Sequence, residues 1–251
     1  MLFRCSGSGD VAGVPVFGCN CPACARARRD PRHCRGPASA EIDSDHGRYL
    51  IDAGRHDLIQ SCEQRRPRAI LLTHYHADHV QGLLTLRWGV GESIPVFGPR
   101  DERGFDDLYK HPGILDFRPP LRAFEPCDIG GLTVMPVPLA HSRPTFGYCL
   151  QGVRRRVAYL TDTVGLPAET ERFLRAFRPD LALIDATYLD GQDAGSNHNH
   201  LGQALALLAA IGTRQGVLTH LGHRLDCAAL EGRLELPQGR WLAEDGQTWE
   251  I

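Results

Sequence analysis

The segment Thr73-His74-Tyr75-His76-Ala77-Asp78-His79 gathers three imidazoles and a carboxylate into six residues, His74 to His79. These are donor types that bind divalent cations, and the spacing His-x-His-x-Asp-His lets them serve two ions side by side. His74 and His76 converge on one ion, while Asp78 and His79 turn to a second. Two neighbouring cations that share a water would give a strong nucleophile at neutral pH, which is hydrolytic chemistry. The competing reading is a polar loop whose histidines are satisfied by backbone carbonyls. It suits a lone histidine far better than this ordered set.

Ligands this close in sequence need a rigid support. Pro67 to Leu72 reads as a buried strand and Val80 to Leu86 as the opening of a helix, with helix expected from 79, so the cluster falls on a strand-to-helix loop. Three further candidates each follow a strand-like run: His141 after Val134–Ala140, Asp162 after Arg156–Thr161 and His220 after Gly216–Thr219. Ligands at successive strand ends meet along one sheet edge. The pattern predicts strands at 41–52, 68–73, 94–97, 121–125, 132–139, 145–151, 156–161, 181–186, 216–219 and near 241–250. Helices are expected at 102–110, 167–177, 201–211 and 226–234, the second opening on Pro167 and early acids. Two halves, each mixing strands and helices, predict an α/β four-layer αββα sandwich spanning 1–251 as one domain.

Cys19, Cys21 and Cys24 place three thiols within six residues of an N-terminal knuckle at 18–24. Thiolates this close repel unless a cation offsets them, and a closed structural zinc site wants a fourth donor. His223, three residues after His220, fits that vacancy and would let one loop serve both centres. The knuckle is expected to pack on the main domain. Cys5, Cys34, Cys62, Cys127, Cys149 and Cys227 stand apart and read as free thiols.

Composition limits the partners. With 251 residues, 42% apolar content and a net charge of -2, the chain can bury a large core but carries no global field for nucleic acid or an anionic membrane. The basic run Arg26, Arg28, Arg29, Arg32 and Arg35 lacks interleaved aromatics and reads as a solvated face. No 18-residue apolar run and no signal-like N-terminus occur, which leads to an expectation of a cytoplasmic protein.

His74, His76, Asp78, His79, His141, Asp162 and His220 together resemble the ligand set of the metallo-β-lactamase-fold hydrolases. That resemblance implies one metal on His74, His76 and His141, a second on Asp78, His79 and His220, and Asp162 bridging. Asp78 resembles the binuclear phosphodiesterase and glyoxalase-type branches and departs from the lactamase branch. The segments Gly13 to Arg28, His74 to Gly82, Leu86 to Gly91, Lys110 to Gly113, His141-Ser142 with Thr145 to Tyr148, and Leu218 to His220 are similar to the PhnP family, phosphoribosyl 1,2-cyclic phosphate phosphodiesterases of the bacterial carbon-phosphorus lyase pathway.

The resemblance implies a catalytic pair of manganese ions, although imidazole and carboxylate donors also suit zinc, iron or nickel. It also implies a structural zinc on Cys19, Cys21, Cys24 and His223, a small phosphorylated sugar substrate opened to ribose 1,5-bisphosphate in phosphonate catabolism, relaxed activity on 2',3'-cyclic nucleotides, and a homodimer. A departing alkoxide needs a proton. His198, in Asn197-His198-Asn199-His200 ahead of a helix, takes the place of the family's catalytic histidine, with His200 as the neighbouring alternative. Asp78 and Asp162 complete the expected catalytic set. Arg143 and Thr145 are candidates to hold a second phosphate, and His111 is a further substrate candidate. Asp52 and Asp185 are buried-strand acids suited to supporting ligand histidines. Competing functions are a tRNA-processing nuclease of the same superfamily and a zinc-knuckle protein that binds a metabolite without turnover.

Overall fold

The computed structural model describes residues 1–192 and 197–251. Among these residues, fourteen strands and eight α-helices follow in chain order: β1 (Leu2–Gly7), α1 (Pro22–Arg29), β2 (Ser39–Ser44), β3 (Gly47–Ile51), α2 (Leu58–Gln64), β4 (Ala69–Leu71), α3 (Ala77–Val80), α4 (Leu83–Leu86), β5 (Ile94–Phe97), α5 (Asp106–Lys110), β6 (Leu115–Phe117), β7 (Cys127–Ile129), β8 (Leu132–Leu139), β9 (Thr145–Gln151), β10 (Arg156–Leu160), α6 (Ala168–Phe177), β11 (Leu181–Asp185), α7 (Leu201–Ala210), β12 (Gln215–Thr219), α8 (His223–Leu230), β13 (Arg240–Leu242) and β14 (Thr248–Glu250). Two seven-stranded sheets result, ordered β14-β1-β2-β3-β4-β5-β6 and β13-β12-β11-β10-β9-β8-β7. Both are mixed, with parallel pairing from β3 to β6 and from β10 to β13.

Strand alternation assigns each side chain to a layer. In β11, Leu181 and Leu183 face the other sheet, where they join Phe3, Ile51, Leu71, Tyr148 and Tyr159, while Ala182 and Ile184 face outward to Leu201, Ala204 and Leu208 on the helical side. The first sheet does the same: Leu71 points inward, and Ile70 and Leu72 meet Leu58, Val80, Leu83 and Leu108 from the overlying helices. Helix, sheet, sheet, helix is thus the four-layer αββα order expected from sequence. A Leu183→Ala change in the wholly buried middle layer costs about 2–5 kcal/mol.

Several elements depart from the expected boundaries. The predicted strand 41–52 is a hairpin of β2 and β3, turning at Asp45-His46 with Ser44 opposite Gly47. Residues 121–125 form no strand; Phe124 has φ 58°, a left-handed conformation that a strand cannot hold, and its N–H donates to Pro136 O. The predicted final strand divides, β13 joining one sheet and β14 the other. The helix predicted over 102–110 spans only Asp106–Lys110, because Asp101 accepts from the Arg103 and Gly104 N–H groups in a turn. Among the described residues, no helix is long and apolar enough to cross a membrane.

Candidate metal centre

Each strand that ends at one edge of the sandwich delivers a polar residue there. β3 leads to Asp52, β4 to Thr73 and His74, β8 to His141, β10 to Asp162, β11 ends on Asp185, and β12 leads to His220. The two sheets are joined at this edge: the Phe146 N–H donates to Thr73 O at 2.9 Å, and the Tyr148 hydroxyl to Leu72 O at 2.6 Å. Asp52 and His220 both have left-handed backbones, with φ of 66° and 56°. Such strain in non-glycine residues persists only where surrounding contacts enforce it.

The side chains form two adjoining groups that share Asp162. In the first, His74 Nε2 and His141 Nε2 each lie 3.0 Å from His76 Nδ1, and Asp162 Oδ2 is 3.7 Å from His74 Nε2 and 3.9 Å from His141 Nε2. In the second, Asp162 Oδ2 is 3.3 Å from both His79 Nε2 and His220 Nε2, while Asp78 Oδ2 is 3.4 and 3.7 Å from the same nitrogens. Within each group the donor atoms lie within 4.8 Å of one another. All seven residues expected as ligands are therefore brought together, in the expected partition.

The donor chemistry fits divalent cations. His79 Nε2 and His220 Nε2 are buried without a hydrogen-bond partner among the described residues, a costly state unless something else occupies the lone pairs. The outer ring nitrogens are anchored so that the inner ones are bare. His79 Nδ1–H donates to Asp52 at 2.7 Å, His74 Nδ1–H to Thr73 Oγ1 at 3.0 Å, His141 Nδ1–H to Asn197 O at 3.1 Å, and His220 Nδ1–H to Thr187 Oγ1 at 2.8 Å. Three nitrogens meeting near 3.0 Å cannot satisfy one another with protons alone. Three imidazole nitrogens gathered in this way are a donor set suited to one divalent ion.

Electrostatics divides the two groups. Burial holds His74 well below the ordinary histidine range and lowers His76 and His141, so these rings are neutral donors. Burial also opposes a proton on His79 and His220, but Asp162 outweighs it, with help from Asp52 at His79 and from Asp78 at His220; His220 rises to about 9. Asp162 and Asp78 are pushed well below the carboxylate range, burial being overcome by the neighbouring histidines. A dication entering the second group therefore competes with protons.

The knuckle closes on a separate site. His223 Nδ1 lies 3.6 Å from Cys19 Sγ, 3.3 Å from Cys21 Sγ and 3.6 Å from Cys24 Sγ. Sulfur and nitrogen bound to one tetrahedral zinc are about 3.5 Å apart, so all four residues fit that ion. Burial raises the Cys21 thiol, yet the Cys24 N–H and His223 outweigh it and bring it down to about 6. Arg35, beyond the knuckle and α1, makes a buried bidentate pair with Asp226 of α8 at 2.8 and 2.7 Å. The knuckle is thereby fastened to the helix that begins at His223.

His198 stands beside both groups. Its ring stacks on His220 with centroids 4.7 Å apart and lies 5.1 Å from His141. Its Nδ1–H donates to Asp185 Oδ2 at 2.7 Å, and Asp185 Oδ1 accepts from the Thr187 hydroxyl at 2.8 Å. Asp52 thus supports a ligand histidine as expected, whereas Asp185 holds His198, which is not one of the expected ligands.

Four expected substrate contacts do not join the cluster. Thr145 is buried, its hydroxyl donating to Arg143 O. Arg143 spends its guanidinium on Asp101 at 2.8 Å, Tyr75 O at 2.7 Å and Gly104 O at 2.9 Å, which makes it a fastener of the 101–104 loop. His111 is exposed at the end of α5, with its carbonyl accepting from Arg87. His200 sits against Gln192 O at 3.1 Å and the Tyr188 ring. Sequence reasoning missed Thr73, Thr187 and Asp101. Each lies at or just beyond a strand end, the same signal that marked the ligands.

Comparison with known proteins bears on the family and the fold. A family model described as a beta-lactamase superfamily domain matches residues 47–221. An octanoyltransferase from Porphyromonas gingivalis is 28% identical over 86% of the chain, which spans only 45% of that relative's length. Coenzyme PQQ synthesis protein B from Methylobacterium radiotolerans is 28% identical over 74% of this chain and 71% of its own. Among solved structures, a diphosphatase of the PhnP family superposes with a TM-score of 0.83 at 26% identity, covering 100% of this chain and 97% of the other.

Proposed function

The chain belongs to the beta-lactamase superfamily, and from that premise we propose that it is a metal-dependent phosphodiesterase acting on a small cyclic phosphate of the phosphoribosyl 1,2-cyclic phosphate type. The observation that carries the reading is the His198–Asp185 pair standing against the two donor groups, an arrangement suited to handing a proton to a leaving oxygen. The likeness to a PhnP-family diphosphatase supports chemistry at phosphorus.

His74, His76 and His141 would hold one cation and Asp78, His79 and His220 the other, with Asp162 shared. When bound, such a pair supplies an ionised water and Lewis-acid stabilisation of phosphoryl oxygens. The protein's own residues do the rest. Asp52, Thr73, Thr187 and the Asn197 carbonyl fix the orientation of His79, His74, His220 and His141, turning the other ring nitrogen of each toward the donor groups. Asp185 accepts from His198 Nδ1, which leaves Nε2 as the atom through which the ring would pass a proton to the leaving sugar oxygen. Asp185 is itself fixed by the Thr163 and Thr187 N–H groups, so the dyad is set before substrate arrives.

The test is to incubate manganese-loaded protein with phosphoribosyl 1,2-cyclic phosphate, a 2',3'-cyclic nucleotide and a phosphomonoester, following products by phosphorus NMR. Selective ring opening of the cyclic sugar phosphate is expected. Preference for the monoester overturns the reading.

A further inference from the structure

β11 and β12 run parallel with Asp185 opposite Thr219, so the residues just past their ends emerge side by side. Two of these are Thr187 and His220, both almost wholly buried. Thr187 Oγ1 lies 2.8 Å from His220 Nδ1, 2.9 Å from His220 O and 2.8 Å from Asp185 Oδ1. A hydroxyl has one proton to give and two lone pairs with which to accept. It accepts from His220 Nδ1–H, and its own proton goes to Asp185 Oδ1 or to His220 O.

These bonds restrain groups that little else holds. Among the described residues, Asp185 Oδ1 is bonded by Thr187 alone, through the hydroxyl and through the N–H at 3.2 Å, whereas Oδ2 takes the Thr163 N–H and His198 Nδ1. His220 keeps its left-handed φ of 56° with the same hydroxyl against both its ring and its carbonyl. The His198 ring in turn lies nearly parallel to the His220 ring, at 11°. Losing the hydroxyl would therefore loosen the ligand ring and the carboxylate that steers His198 at the same time. The loop carrying His198 has its own anchor. Asn199, fully buried, donates from Nδ2 to Asp185 O at 3.0 Å and accepts from the Gly165 N–H at 2.7 Å.

Resting on the phosphodiesterase reading, we propose that Thr187 is a positioning residue common to the second cation and the proton donor. Its one hydroxyl sets the His220 ring for the ion and, through Asp185, the His198 ring for the leaving oxygen. Ion affinity at Asp78, His79 and His220 and protonation of the leaving group then weaken together when that hydroxyl is lost. Valine keeps the branched shape without the hydroxyl, and serine keeps the hydroxyl without the methyl, so the two substitutions separate bonding from packing.

The test compares wild type, Thr187→Val and Thr187→Ser with the knuckle zinc retained. Calorimetric titration with manganese is expected to show one of two ions bound about 10- to 100-fold more weakly by Thr187→Val, and Thr187→Ser close to wild type. Proton NMR of zinc-loaded protein follows the hydrogen-bonded His198 Nδ1–H resonance, identified by its absence from His198→Ala. That resonance is expected to shift or broaden in Thr187→Val and to return in Thr187→Ser. In turnover at saturating metal, Thr187→Val is expected to lower kcat for phosphoribosyl 1,2-cyclic phosphate about ten-fold more than kcat for bis(4-nitrophenyl) phosphate, and to leave that ratio unchanged when added to His198→Ala. A valine effect on the ion alone or on the His198 resonance alone overturns the sharing, as does an unaltered kcat ratio in active Thr187→Val or failure of serine to restore both. Wild type inert toward every diester, with the ion and NMR effects as expected, overturns the phosphodiesterase reading and leaves Thr187 in its role.

Discussion

His198 Nδ1 lies 2.7 Å from Asp185 Oδ2, and Asp185 is fully buried while the His198 side chain retains 18% exposure. A buried carboxylate thus steers a ring that still reaches the open site.

Replacing His198 with alanine should leave metal content unchanged and reduce turnover of an alkoxide-leaving substrate by about 10² to 10⁴. An activated aryl diester, whose leaving group needs no proton, should lose less than about ten-fold. Equal losses on the two substrates would remove His198 from the acid role.

Asp162 Oδ2 faces four imidazole nitrogens at 3.3 to 3.9 Å, so it serves both donor groups. Asp162→Asn should therefore lower the affinity of both catalytic ions together, with the knuckle ion retained. Elemental analysis after dialysis is the measurement, and loss of a single ion per chain would contradict sharing.

Cys24→Ser opens the knuckle. If free zinc stands at about 100 times its dissociation constant, loss of the ion removes about 2.7 kcal/mol of stability. For a chain of this size that lowers Tm by roughly 5–11 °C. Calorimetry of wild type and variant, each with its zinc content determined, checks it; an unchanged Tm with zinc absent argues against a structural ion.

The Asp101–Arg143 pair has a defined pH signature. Burial works to raise the Asp101 carboxyl, but Arg143 and the Gly104 and Arg103 N–H groups outweigh it and hold it below its ordinary value. A folded pKa below the unfolded one, about 3.9, gives stability that is complete above that pH and lost as pH falls through the folded value. Asp101→Asn should then cost about 2 kcal/mol at pH 7, and the gap from wild type should close below about pH 4. Urea unfolding of both proteins under the same metal conditions measures this. A pH-independent gap would show that shape, not charge, makes the contact.

Much of the site was legible because its ligand segments follow apolar runs. Ile70–Leu72 before His74 and Val217–Thr219 before His220 are strands by composition, and the residue that follows must stand at the sheet edge. What sequence did not disclose depends on distant pairing. β1 lies between β2 and β14, with Phe3 opposite both Ile42 and Trp249, a partnership local pattern cannot reveal. Phe124 sits among apolar neighbours yet takes a left-handed turn set by contact with Pro136. Arg143 reads as a ligand for phosphate from its place after His141, but the carboxylate that claims it lies 42 positions earlier in the chain.

Between His220 and His223 the chain has only Leu221 and Gly222, and Leu221 is braced through both its N–H to Ser8 O and its carbonyl from the Asp10 N–H. The two centres thus share one short, stiff bridge. Whatever factor zinc on the thiols contributes to ion affinity at His220, occupancy at His220 must return to the thiols, since such linkage is symmetrical by thermodynamic necessity. Were the two centres coupled through this bridge, depletion of either ion would lower occupancy at the other.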